Sequence, residues 1–100
     1  MKVKITEPAR QQLDRIDDYY RKEGNPSKGR KLRQEIVKKS GLLSKNPYLG
    51  QEEEQLKQYG RGHRYLLIEP FYKLSYLILK PIIYITDIFD TRQDPDEMKP

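Results

Sequence analysis

The second half of this 100-residue sequence holds the side chains best suited to meet a phosphate: Lys57, Arg61, His63, Arg64, Lys73, Tyr76 and Arg92. The lysines and arginines can neutralise phosphate oxygens. His63 is the one histidine, and an imidazole gives or takes a proton near neutral pH. Tyr76 supplies a hydroxyl. Acid–base chemistry at a phosphate needs a base, cations for the developing charge and an acid for the leaving oxygen. Lys73, Tyr76, Arg92 and His63 are the catalytic candidates for that chemistry, and Arg61, Arg64, Lys73 and Arg92 the candidates for holding a nucleic acid or another target. Against it stands the stretch after Arg92, Gln93-Asp94-Pro95-Asp96-Glu97, whose three acids repel a phosphate backbone.

Each candidate also has a structural reading. His63 opens a strand-like run. Tyr76 sits among Tyr65, Tyr72 and Tyr84 as a packing residue. Lys73 and Arg92 can be surface charges, or Arg92 can pair with Asp90 or Asp94 and pin the tail. Glu52-Glu53-Glu54 reads as a solvated loop, because a lone acidic triplet without other ligands makes no metal site. No cysteine is present. Thiolate chemistry and disulfides are excluded, and neither a metal nor a cofactor is expected.

The elements that must position these groups follow from periodicity. Residues 2–6 alternate Lys2 and Lys4 with Val3 and Ile5, the pattern of a half-buried strand. Thr6-Glu7-Pro8 combines a capping residue, an acid and a first-turn proline, and so starts a helix. Ala9, Leu13, Ile16 and Tyr20 follow at helical spacing, and Gly24-Asn25-Pro26 turns the chain. A second helix is predicted from Ser27 to about Lys45, with Leu32, Ile36 and Leu43 on its buried stripe. Gly41 weakens it by about 1 kcal/mol relative to Ala, so an early end or a bend is expected there. Residues 48–62 read as a polar connection. The runs 63–69, 72–79 and 82–90 are dense in Ile, Leu and Tyr and too closely spaced for parallel crossovers, which predicts a three-stranded antiparallel meander. The first strand joins its edge or stays unpaired. The expected fold is α+β: one domain over residues 1–100, with a helical hairpin on one sheet face and the other face free for function.

Charge is uneven along the chain. Residues 1–50 hold 13 Lys and Arg against 6 Asp and Glu, a balance of +7, and residues 51–100 hold 7 against 9, a balance of −2. A basic surface of this kind meets an acidic partner, either nucleic acid or an acidic protein segment, or else only keeps the protein dissolved. No run is long and apolar enough for a secretory leader or a membrane span, so a cytoplasmic address without membrane contact is expected.

Four pieces in order carry a family resemblance. They are Val3-Lys4-Ile5-Thr6 with the helix holding Ala9, Leu13, Ile16 and Tyr20; Leu43 to Gly50 with Pro47; Tyr72-Lys73-Leu74-Ser75-Tyr76; and Phe89-Asp90-Thr91-Arg92-Gln93-Asp94-Pro95. The sequence resembles the RelE/ParE toxin superfamily, the plasmid stabilisation proteins of type II toxin–antitoxin systems. The resemblance covers nearly the whole chain and implies a growth-inhibiting toxin. Its partner would be a cognate antitoxin whose acidic C-terminal segment wraps the fold. RelE-like members cut mRNA on the ribosome without a metal, whereas ParE-like members block DNA gyrase. Lys73 stands where the family's central-strand arginine stands, and Arg92 matches the arginine after the last strand. RelE-like toxins usually carry a Tyr or His soon after that arginine, and this chain has acids instead. The Arg-x-Asp-Pro ending places it closer to the ParE-like branch, with gyrase binding expected and no reaction catalysed. The alternatives are a ribosome-dependent mRNA endonuclease and an inactive, toxin-derived interaction module.

Overall fold

The computed structural model describes residues 1–100. Strand β1 (Lys2–Ile5) half-buries Val3 and Ile5 and exposes both lysines, as the alternation predicts. Helix α1 (Glu7–Lys22) begins at Thr6, whose hydroxyl accepts from the Ala9 N–H at 3.4 Å. That hydroxyl and the Thr6 N–H both donate to the Ile85 carbonyl, at 2.9 and 3.0 Å. The cap therefore fixes the helix start to the sheet as well as satisfying a free amide. Gly24 turns the chain with φ +75°, a conformation that costs glycine little. Helix α2 (Pro26–Lys45) then runs back. It starts one residue before the predicted Ser27, because Pro26 occupies the first turn. Gly41 does not end it: buried Ile36 and Leu43 hold both sides of that position to the core.

Strands β2 (Gln51–Glu52), β3 (Arg64–Ile68), β4 (Tyr72–Leu79) and β5 (Ile82–Asp90) complete a five-stranded sheet in the order β1-β5-β4-β3-β2. The predicted meander is β3-β4-β5, antiparallel throughout. β1 joins its edge parallel to β5, with Val3 opposite Ile83, and the long connection that a parallel pair requires runs through the helical hairpin and then β2, β3 and β4. The connection after α2 is more ordered than predicted. It holds β2 and a 3₁₀ turn from Glu54 to Tyr59.

The main core lies between the helices and the sheet. Leu13, Leu32, Ile36 and Leu43 meet Leu74, Tyr76, Ile83, Ile85 and Ile88 there. Each fully buried aliphatic side chain contributes about 1.5–3 kcal/mol. A β-bulge lets both ends of β5 serve this core: Ser75 faces Asp87 while Tyr76 faces Ile85, leaving Thr86 as the extra residue. The opposite sheet face is not free, contrary to expectation. The 3₁₀ turn and the C-terminal residues lie over part of it, and Leu56, Phe89 and Met98 form a second, small core. Their apolar side chains gain more from covering the strands than from facing water. No helix is long and apolar enough to cross a membrane.

Candidate functional site

The sheet separates the candidate residues into three places. The first is the outer face, away from the helices. Strand alternation points His63, Tyr65, Lys73, Ser75 and Asp87 to this side. The Lys73 ammonium lies 2.9 Å from Glu53 Oε2 and 4.2 Å from the centre of the Tyr65 ring. Glu53 is buried, unlike Glu52 and Glu54, so the acidic triplet is not uniformly a solvated loop. Its backbone N–H donates to the His63 carbonyl at 2.9 Å, and Glu53 Oε1 accepts from the Gln55 N–H at 3.2 Å. Lys73 is therefore already neutralised by a carboxylate that is nearly out of water, and phosphate would have to compete with it.

His63 stands beside this pair, 2% exposed, and neither ring nitrogen has a hydrogen-bond partner. Burial, with the charge of Arg61 added, pushes its pKa below the ordinary histidine value, and Glu53 opposes this weakly. The ring is neutral at pH 7 and closed off from a substrate. Arg61 is exposed in the loop before it. Lys57 is exposed on the 3₁₀ turn and pairs with Glu54 at 3.0 Å.

The second place is the end of β4 near the exit of α2. Tyr76 is fully buried. Its hydroxyl donates to the Pro47 carbonyl at 2.7 Å and accepts from the Gly50 N–H at 2.9 Å. Burial raises its pKa. Arg64, directly opposite on β3, donates to the Gly50 carbonyl at 2.6 Å and lies over the Tyr48 ring at 5.2 Å. Gly50 is required here, because a Cβ would meet the Tyr65 carbonyl oxygen at 2.6 Å and the Tyr76 hydroxyl at 2.8 Å. Tyr76 and Arg64 together pin the Pro47–Gly50 turn to the sheet.

The third place is the far end of β4 and β5. Arg92 makes two bonds to Asp90, Nε to Oδ1 at 3.1 Å and a terminal nitrogen to Oδ2 at 2.8 Å, and its guanidinium stacks on Phe71 at 3.6 Å. The Arg92 bonds hold the Asp90 carboxyl below the usual carboxylate range. Tyr72 lies close by, its hydroxyl 3.0 Å from that of Tyr20, and burial followed by that contact pushes its pKa well up. Tyr72 is four residues along β4 from Tyr76, about 13 Å at strand rise. Arg92, Tyr76 and His63 are thus not gathered around one point.

A groove of about 720 Å³ opens beside Arg92, between α1 at Arg15 and Tyr19 and the C-terminal residues at Met98 and Lys99. A second, of about 640 Å³, lies along α2 with Tyr20, Leu32 and Tyr72 in its wall and Lys28 and Lys31 at its edge. The sequence reading missed Glu53 and Asp87, the two carboxylates buried on the outer face. Asp87 had a visible signal, a charge inside an apolar strand. Glu53 had none that set it apart from its neighbours.

Comparison with known proteins decides the family. A family model described as the ParE toxin of the type II toxin–antitoxin system ParDE matches residues 3–95. The chain belongs to the ParE toxin family. A solved structure described as a chromosomal ParDE toxin–antitoxin system from P. aeruginosa is similar in fold, with a TM-score of 0.72 and 28% identity over 90% of this chain and 95% of that one. No curated protein gives a significant match. The ParE match includes every candidate residue above. It stops before Met98 and Lys99, the residues that reach over the outer sheet face.

Proposed function

We propose that this ParE-family chain arrests growth by binding DNA gyrase, catalysing no reaction, and that a cognate antitoxin with an acidic C-terminal segment silences it. The carrying observation is the state of the four catalytic candidates. Lys73 is held by buried Glu53, Tyr76 is bonded on both sides, His63 is enclosed, and Arg92 is clasped by Asp90. Proton transfer needs an acid and a base within hydrogen-bond reach of substrate atoms. None of these groups offers that without first giving up a structural contact or its cover. The same observation weighs against the ribosome-dependent endonuclease reading.

An antitoxin partner is supported by the second groove. Its apolar wall of Tyr20, Leu32 and Tyr72 and its edge of Lys28 and Lys31 suit a segment with apolar anchors and acidic side chains. The acidic partner would also meet the surplus positive charge of the first half of the chain.

The test combines two assays. Purified protein is added to a gyrase supercoiling reaction, and mRNA 5′ ends are mapped after induced expression. The proposal expects loss of supercoiling and no codon-phased cuts. Codon-phased cuts that vanish in Lys73→Ala and Arg92→Ala would replace it with the nuclease reading. Normal growth on induction would replace it with the inactive interaction module. For the partner, the product of the neighbouring gene should co-elute with the chain in size exclusion. Separate elution would remove the antitoxin assignment.

A further inference from the structure

The two helices have opposite charge economies. Helix α1 carries Arg10, Arg15, Arg21 and Lys22 against Glu7, Asp14, Asp17 and Asp18, a neutral set. Arg21 bonds Asp17 and Asp18 at 3.0 and 3.1 Å within that set. Helix α2 carries seven cations and one acid, Glu35. Arg33 is spent on Asp14 and Asp17 of α1, at 3.0 and 3.4 Å. The other six, Lys28, Arg30, Lys31, Lys38, Lys39 and Lys45, make no ion pair.

Their placement is ordered. At 100° per residue, Leu32, Ile36 and Leu43 define the buried side of α2. Lys31, Lys38 and Lys45 recur every seventh residue on the opposite side and are all exposed. Arg30 and Lys28 flank the row. Fourteen residues of helix extend the row over about 21 Å. Like charges held in a line repel one another, and no acid, Glu35 included, comes within ion-pair distance of the row. Lys38 and Lys45 border neither groove.

We infer that the outward face of α2 is a contact surface for the phosphate backbone of duplex DNA. A duplex presents one negative charge per about 1.7 Å of its axis, so about 21 Å of helix faces a dozen phosphates. An acidic polypeptide is the less fitting occupant of this row. It needs apolar anchors to offset its ordering, and beside Lys38 and Lys45 the helix exposes only Val37 and Leu42, while the larger apolar walls lie in the grooves. The contact positions the protein without reading sequence, because long lysines on an exposed helix face reach phosphates and not base edges. It is independent of the gyrase reading, since it is tested without gyrase.

The experiment is fluorescence anisotropy of a labelled 20-base-pair duplex of arbitrary sequence, titrated with the full chain at several salt concentrations. Three to five phosphates neutralised give a slope of log affinity on log salt of roughly −3 to −4.5, a loss of about 60- to 500-fold between 50 and 200 mM. The variant Lys38→Glu/Lys45→Glu leaves the groove edge intact. It should bind at least about tenfold more weakly at 50 mM, with a slope nearer zero by about 2. Lys38→Arg/Lys45→Arg should bind as the parent does. Three results would each overturn the inference: no binding by the parent at 50 mM salt, undiminished binding by the charge-reversed variant, or displacement of the duplex by polyglutamate at equal charge concentration. The last would assign the row to an acidic polypeptide.

Discussion

The two faces of the sheet are built on different principles. On the helix side, a cluster of twelve buried residues joins both helices to β3, β4 and β5, and its two tyrosine hydroxyls are both bonded, Tyr72 to Tyr20 and Tyr76 to Pro47 and Gly50. On the other side only Leu56, Phe89 and Met98 form an apolar cluster, and Glu53, His63, Ser75 and Asp87 are buried around it. Several polar atoms there lack partners, including both nitrogens of His63, Ser75 Oγ and Asp87 Oδ1. An unpaired buried polar group costs about 1–3 kcal/mol. The helix side draws its stability from apolar burial, and the outer side holds polar groups under a thin cover. Polar burial on the outer face is therefore a poor guide to a catalytic centre in this protein: it is bound up with attaching a short turn and a tail.

The contrast can be broken most strongly from the helix side. Leu74→Ala removes a fully buried side chain at the centre of the main core and should lower unfolding free energy by about 2–5 kcal/mol in a urea titration. The next largest effect belongs to the ion pair. Glu53→Gln strands Lys73, whose side chain is 22% exposed, and should cost about 2–3 kcal/mol, less than a fully enclosed charge would. Adding Lys73→Met should recover most of that loss, and a double-mutant cycle would measure the coupling.

Asp87→Asn changes sign. Burial raises the Asp87 pKa, only partly offset by its bonds from the Lys99 and Ile88 amides. A carboxyl with a raised folded pKa gives its full stability below its unfolded pKa and loses it as pH climbs through the folded value. The asparagine variant should therefore be the more stable protein at pH 7, and its advantage should shrink as the pH falls toward 4. Parallel melting curves at both pH values decide this. The smallest effect is expected at Gly41, where an added Cβ meets nothing within 4 Å. Gly41→Ala should raise stability by up to about 1 kcal/mol, read as a higher midpoint in urea.

The helix side was legible in the sequence because its physics is periodic. Ala9, Leu13, Ile16 and Tyr20 mark α1, and the alternating strands after Arg64 announce the meander. The parallel docking of β1 was left open, since four alternating residues do not reveal their neighbour. The outer face was illegible for a different reason. β2 is two exposed residues with no apolar pattern, and Glu53 differs from Glu52 and Glu54 only in where the 3₁₀ turn places it. Met98 and Lys99 follow an acidic, proline-containing stretch with no apolar period to reveal where it docks, yet Met98 is buried and the Lys99 N–H reaches Asp87 at 2.9 Å. Among the candidate site residues, the pairing of Arg92 with Asp90 was foreseeable from proximity in sequence. The capture of Lys73 by Glu53 was not, because it spans 20 residues.

The central claim is that Lys73 on the outer face is scaffolding and not chemistry. Growth on induced expression of Glu53→Gln/Lys73→Met, with folding verified by its melting curve, tests this most directly. The account predicts growth arrest equal to that of the parent chain. A folded double variant that no longer arrests growth would contradict it.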